Sequence, residues 1–436
     1  MMNPSPESSA SIYAELLVNI RQVSVVANLP SPVDSSTKAA IDGQTIRLQH
    51  QSQSSTLVIP ARVVAPPILP LPDLKQRTVK LSWRLPLSTA VPKPASLSLE
   101  GQALPWGSVD IQKESPIQCR GCHHEIVPRG AIKDWKDLPS ENWAEMMEFW
   151  HCHKPHDHEK HDDDKLTQRG YGASNAIAAQ PNVGFVDLTS FMVAEQDCNG
   201  LLVSTYLAQP KPGQACSTST TTGGKKLAKP VLFSPSMKES GFQSSELALE
   251  ADPSSKWQHI SCKACQSEVG IYNVAASSLS LFKWQTLCQT EAPMPVPNSV
   301  HCLAATLTAS ISRTGSSKFV VLPHLLSQKN EDAAVNPAKA LHLWVLNPYV
   351  VFASSKLETK KTAMKILYQF LDVEQGNKLA DDLNSDVQDI SLPSRVVETA
   401  GHHLVSSSLL LPESDRIFRE WHVGLLDRWD SSLVDP

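Results

Sequence analysis

No stretch of this 436-residue chain is apolar for long enough to span a bilayer. The longest runs, such as residues 341–346, fall far short of the about 20 residues that a membrane helix requires. Positive charge is not in excess either. The 39 Lys and Arg against 44 Asp and Glu leave a formal net charge of −5 and a pI near 6.3, which gives phosphate backbones no broad attraction. Neither a membrane nor direct nucleic-acid binding is expected. Residues 1–10 are polar and rich in Pro and Ser, with no apolar segment resembling a secretory leader. The nine cysteines are odd in number and sparse for a disulfide scaffold, so a disulfide framework is not expected. None occurs after Cys302.

Where cysteines do occur, their spacing carries chemistry. Cys119-Arg-Gly-Cys122 and Cys262-Lys-Ala-Cys265 are two pairs of identical spacing, far apart in the chain. Each pair can form a tight turn that aims two thiolates at one point, and neither closes a tetrahedral shell alone. Together they are expected to hold one structural zinc, cross-linking distant segments so that metal binding becomes folding energy. A redox role for either CxxC lacks the βαβ context that it would need. A rival ligand set takes Cys152 or His153 with the first pair, which closes a shorter loop. The run His156, His158, His161 and Asp162 to Asp164 offers donors too, but reads as a solvated charged loop.

At this length two or three domains are expected. Residues 1–110 read as an antiparallel β domain, because Val79, Leu81, Trp83 and Leu85 alternate with polar residues and Ile46 and Leu48 follow the turn dipeptide Asp42-Gly43. Prolines within 60–72 and 86–94 mark edges and connections, since they cannot donate to a central ladder. Residues 111–290 form the zinc-stapled, β-rich middle, with insertions near 156–170 and 209–256 and strand-like runs at 183–206 and 262–287. Within it, Ser140 caps a helix whose Trp143, Met146, Met147 and Trp150 make one core-facing stripe. Residues 291–436 read as mixed α/β, with buried strands at 341–346 and 364–368 and helices at 393–411 and 413–429. The class expected for the whole is α+β.

The string Leu138-Pro-Ser-Glu-Asn-Trp-Ala-Glu145, followed by Trp150-His-Cys-His-Lys-Pro155, resembles a motif of the HECT-like family of proteins that bind ubiquitin-conjugating enzymes and are described as ubiquitin ligases. The two cysteine pairs, the segment 343–347 and the segment 365–369 fall in the family's order, so the resemblance covers essentially the whole chain outside the insertions. It implies ubiquitin transfer from a charged conjugating enzyme to protein substrates, with cytoplasmic and nuclear residence. It also implies an alternative, non-catalytic role: binding and restraining the endonuclease of the pre-mRNA cleavage and polyadenylation machinery.

One departure matters. A true HECT ligase forms a thioester on a C-terminal cysteine, because a thiolate is both a strong nucleophile and a good leaving group near neutral pH. Residues 303–436 contain no cysteine. A covalent route would have to use Cys302, Cys288, Cys152 or an insertion cysteine, with His301 beside Cys302 as a conceivable base. Otherwise the chain acts as a scaffold and proximity supplies the rate.

Overall fold

The computed structural model describes residues 10–88, 104–138, 178–203, 231–232, 257–274, 276–324, 338–382 and 385–429. The expected helix from Ser140 to Trp150, with the Trp-His-Cys-His tail and Cys216, lies outside them. The chain groups into two compact units. One takes Met1–Ala103, Ser299–Leu325 and Lys329–Leu433, and the other takes Leu104–Asn298 with two short pieces, Leu326–Gln328 and Val434–Pro436. This differs from the three consecutive segments expected from sequence. The reason is strand pairing, because the first strand of the chain lies between its own hairpin partner and a strand from beyond residue 338.

The first unit begins with β1 (Ser11–Leu17) and β2 (Gln22–Asn28), then β3 (Lys38–Asp42), β4 (Thr45–His50), β5 (Gln53–Val58) and β6 (Lys80–Pro86). Of the alternation read at 79–85, Leu81, Trp83 and Leu85 of β6 are buried and Ser82 and Arg84 exposed, whereas Val79 precedes the strand and is exposed. Leu81, Trp83 and Leu85 share one core with Ile12 and Ala14 of β1, Val23 and Val25 of β2, and Ile46, Leu48 and Leu57 of the three-stranded sheet β3-β4-β5. Asp42 and Thr45 pair across the first turn, with Gly43 at φ +59° as a tight hairpin requires.

The second unit holds β7 (Ile117–Cys119), β8 (Glu125–Val127), β9 (Asp134–Asp137), β10 (Val183–Val186), β11 (Ser190–Ala194), β12 (Leu201–Val203), β13 (Val231–Leu232), β14 (Trp257–Cys262), β15 (Glu268–Asn273), β16 (Ser278–Phe282) and β17 (Thr286–Leu287). Eight of these form one sheet, ordered β13-β12-β14-β15-β16-β11-β10-β9, and β17-β7-β8 form another. Phe191 anchors the interior, stacked on Trp106 at 6.2 Å and met edge-on by Trp135 at 5.6 Å.

The chain then returns to the first unit through α1 (Ser299–Thr314), β18 (Lys318–His324), β19 (Lys339–Ser354), β20 (Lys361–Asp372), α2 (Val373–Ala380), β21 (Val387–Pro393), α3 (Ser394–Ser408), β22 (Ile417–Phe418) and β23 (Trp421–Asp427). The sheet runs β22-β23-β20-β19-β1-β2-β6, with β18 on β19 and β21 parallel to β18. Sixteen-residue β19 serves two neighbours on one side, pairing β18 through residues 341–344 and β1 through residues 351–354, with register shifts between. The arrangement is α+β. Residues 413–429 correct an expectation, forming a 3-10 turn and the β22-β23 hairpin rather than a helix. Val423 to Leu426 are buried without a break, and a short apolar run of that kind has no periodicity by which a buried strand can be told from a helix. Gly424 lets α3 approach, since a methyl group there would sit 3.0 Å from the backbone oxygen of Leu404. Among the described residues, no helix is long and apolar enough to cross a membrane.

Candidate metal centre

The two cysteine pairs are built alike. Each follows the end of a strand, and each turn is closed by two backbone hydrogen bonds at the same offsets. Cys119 N–H donates to His124 O (2.8 Å) and His123 N–H to Cys119 O (2.8 Å), while Cys262 N–H donates to Ser267 O (2.9 Å) and Gln266 N–H to Cys262 O (2.7 Å). His123 and Gln266 hold the left-handed conformation at φ 59° and 61°. A side chain there costs about 1–2 kcal/mol, so both hairpins accept the same local strain to aim their sulfurs. Backbone N–H groups point at the sulfurs as well: those of Gly121 and Cys122 at Cys119, that of His124 at Cys122 and that of Ser267 at Cys265.

The turns face each other. The four Sγ atoms lie within 4.8 Å of one another, with Cys119 and Cys265, and likewise Cys122 and Cys262, 3.6 Å apart. That is too long for a disulfide, whose sulfurs sit about 2.05 Å apart. It matches the about 3.8 Å edge of a tetrahedron of sulfurs, each about 2.3 Å from a central ion. Burial pushes the Cys119 thiol up, whereas the hydroxyl of Ser267, 3.3 Å away, draws Cys265 down. Four crowded thiols cannot all ionise without a counter-charge, and a divalent cation supplies one. The donor set therefore fits a metal ion, with all four positions filled by sulfur.

Other segments brace this arrangement. Asn199 N–H donates to Ile126 O in the first hairpin (2.7 Å), and Lys263 N–H in the second donates to Gly200 O (2.8 Å). Gly200 is at φ +65°, and a methyl group on it would lie 2.2 Å from His124 Nε2. Arg120, between the first two cysteines, donates from Nη1 to Trp284 O and Pro297 O, both at 3.2 Å. Sequence reasoning did not single out Arg120, Asn199 or Gly200. The strand-like run expected over 262–287 is broken after Phe282. The chain turns instead at Lys283–Gln285, so the rings of Phe282 and Trp284 stack at 4.6 Å and Lys283, fully buried, donates to Pro105 O at 2.6 Å.

The cysteines weighed as nucleophiles are poorly placed. Cys302 is 1% exposed within α1, and Cys198 is buried with its thiol pushed up. Burial raises Cys288 to about 12. The ring of His301 packs edge-on against Trp429 at 5.7 Å. Cys152, His153, Cys216 and the His/Asp run lie outside the described residues.

The chain belongs to the HECT-like ubiquitin-conjugating enzyme (E2)-binding family, whose model matches residues 15–423. It is 23% identical over 380 residues to an uncharacterised protein of Schizosaccharomyces pombe, covering 83% of this chain and 86% of that one. It is 33% identical over 86 residues to an uncharacterised protein of Saccharomyces cerevisiae, covering 19% of this chain and 24% of the relative. No solved structure matches.

Proposed function

We propose that this chain is a ubiquitin-ligase scaffold: it binds a ubiquitin-conjugating enzyme and promotes transfer of ubiquitin from that enzyme to a protein substrate without taking ubiquitin onto itself. Family membership over nearly the whole length carries the first half of this reading. The burial of Cys198 and Cys302 and the raised thiol of half-buried Cys288 support the second, because a thioester needs an accessible thiolate. In the transfer, a substrate lysine amine attacks the thioester carbonyl, the amide forms, and the conjugating enzyme's own thiolate leaves. The scaffold's contribution is orientation and effective concentration.

Zinc at Cys119, Cys122, Cys262 and Cys265 belongs to the same reading as a structural ion. A bound ion would fix the two hairpins against each other and would leave no coordination position for substrate. Calorimetric titration of the purified chain with a conjugating enzyme carrying a non-hydrolysable ubiquitin linkage tests the reading. One-to-one binding is expected. Absence of binding across several conjugating enzymes would overturn it.

A further inference from the structure

The four sulfurs of the metal centre are not equivalent. Cys265 is exposed and Cys122 half-buried, whereas Cys119 and Cys262 are buried at 1% and 0% exposure. Each outer sulfur has an inner one of the opposite hairpin 3.6 Å away, Cys265 with Cys119 and Cys122 with Cys262. Gly121 leaves the first of these pairs uncovered: it is exposed, and even a methyl group on it would stand 3.7 Å from the Cys265 sulfur and 3.9 Å from that of Cys119. Cys198 and Cys288, the other described cysteines of this unit, are buried and half-buried. Cys265 is therefore the sulfur that a small oxidant in solution reaches most readily.

The hairpins are also held face to face by bonds that need no ion. Asn199 N–H donates to Ile126 O in the first, and Gly200 O accepts from Lys263 N–H in the second, so two consecutive residues tie the turns to each other. Within each turn the backbone bonds around Cys119 and Cys262 keep the loop closed. Sulfurs that lose a shared ion therefore stay opposed. Closing either cross-hairpin pair takes its sulfurs from 3.6 Å to about 2.05 Å and links the two turns covalently. A disulfide within either Cys-x-x-Cys turn would leave the hairpins unlinked.

We propose that this centre is an oxidant-sensitive staple with two closed states: one ion held by four thiolates, and, after reaction with a peroxide, two disulfides across the hairpins, Cys119–Cys265 and Cys122–Cys262. The first of these states rests on the reading of the centre as a metal site. In the exchange, the Cys265 thiolate attacks one oxygen of hydrogen peroxide, the O–O bond breaks, and the hydroxide released takes a proton from solvent to become water, leaving a sulfenic acid on Cys265. The Cys119 thiolate then attacks that sulfur. The S–S bond forms, and the sulfenic oxygen leaves as hydroxide and is protonated to a second water. Cys122 and Cys262 repeat the sequence with a second peroxide. Two peroxides are reduced to four waters, four thiolates are oxidised to two disulfides, and no thiolate remains to hold a cation.

The test measures the zinc content of the purified, reduced full chain and then titrates it with hydrogen peroxide. Released zinc is followed with a chromogenic chelator, and disulfides are mapped by mass spectrometry of peptides kept unreduced. Loss of the zinc is expected with two peroxides consumed per ion, together with both cross-hairpin linkages, and a dithiol with added zinc should restore the starting state. Hydrogen exchange in β7, β8, β14 and β15 is expected to stay low in the oxidised chain, because one staple has replaced the other. Zinc retained in excess peroxide, linkages confined to Cys119–Cys122 and Cys262–Cys265, or sulfinic and sulfonic acids in place of disulfides would each overturn the proposal and leave the metal reading standing. A reduced chain that takes up no zinc would overturn the metal reading itself, and the two-state staple with it, before any peroxide is added.

Discussion

Gly270 is held by close approach rather than by a turn. A methyl group on it would sit 2.1 Å from the backbone oxygen of Ser280, which cannot swing away as a side chain can. Gly270→Ala should therefore destabilise the second unit by about 3 kcal/mol or more, read from urea unfolding, since strained cores lose on that scale. His301 and Asp427 contribute to the pH dependence of the first unit, alongside His342, Asp34 and Asp386, which are lowered as well. Burial, with help from His403 and Lys361, holds His301 below the usual imidazole range. Asp427, which burial alone would push up, is drawn down by His403, Lys361 and His301. Below about pH 6.5 the unfolded chain binds a proton at this histidine that the fold resists, so stability falls on acidification. Asp427 adds stability that is present above about pH 4 and is lost as pH drops through its lowered folded value. His301→Gln should flatten the upper part of that slope, and an unchanged slope would contradict the assignment. At this scale the cysteines were legible in the sequence because ligand spacing is local. Arg120 and Asn199 were not, because their partners come from other segments.

The two cysteine hairpins act as one element made from distant pieces of chain. Losing any one sulfur breaks the same tetrahedron. Cys119→Ser and Cys262→Ser should thus each lower the melting temperature by a similar amount, and the double variant should fall little further, because residues in one network do not add. Additive losses would show that the pairs are independent. A variant set in which Cys262→Ser and Cys265→Ser keep full zinc while Cys152→Ser loses it would favour the rival ligands. Strands of alternating pattern such as β6 were legible, since one face is core and the other is solvent. The hairpin at 417–427 was not. Its buried run is covered on both faces, and the spacing of Ile417, Trp421 and Leu425 mimics a helix.

On the scale of the molecule, sequence order proved a poor guide to partition. Its first and last thirds share a sheet through the β1-β19 pairing, a long-range contact that no local pattern announces. A chelator that strips the proposed ion should therefore act selectively. Hydrogen exchange is expected to rise in β7, β8, β14 and β15, while β1, β2 and β6 in the first unit keep their protection. Uniform loss across both units would contradict a local staple.

The scaffold reading meets its most direct test in single-turnover discharge. A conjugating enzyme charged with ubiquitin is mixed with lysine and the full chain, alongside the variant in which Cys198, Cys216, Cys288 and Cys302 are all Ser. The melting temperature of that variant is checked first, since a hydroxyl left unpaired in a core destabilises. The account predicts that parent and variant speed discharge equally, with no thiol-sensitive ubiquitin adduct on either. A stable variant that has lost all stimulation, together with ubiquitin trapped on one of those cysteines in the parent, would contradict it and make the chain a covalent ligase.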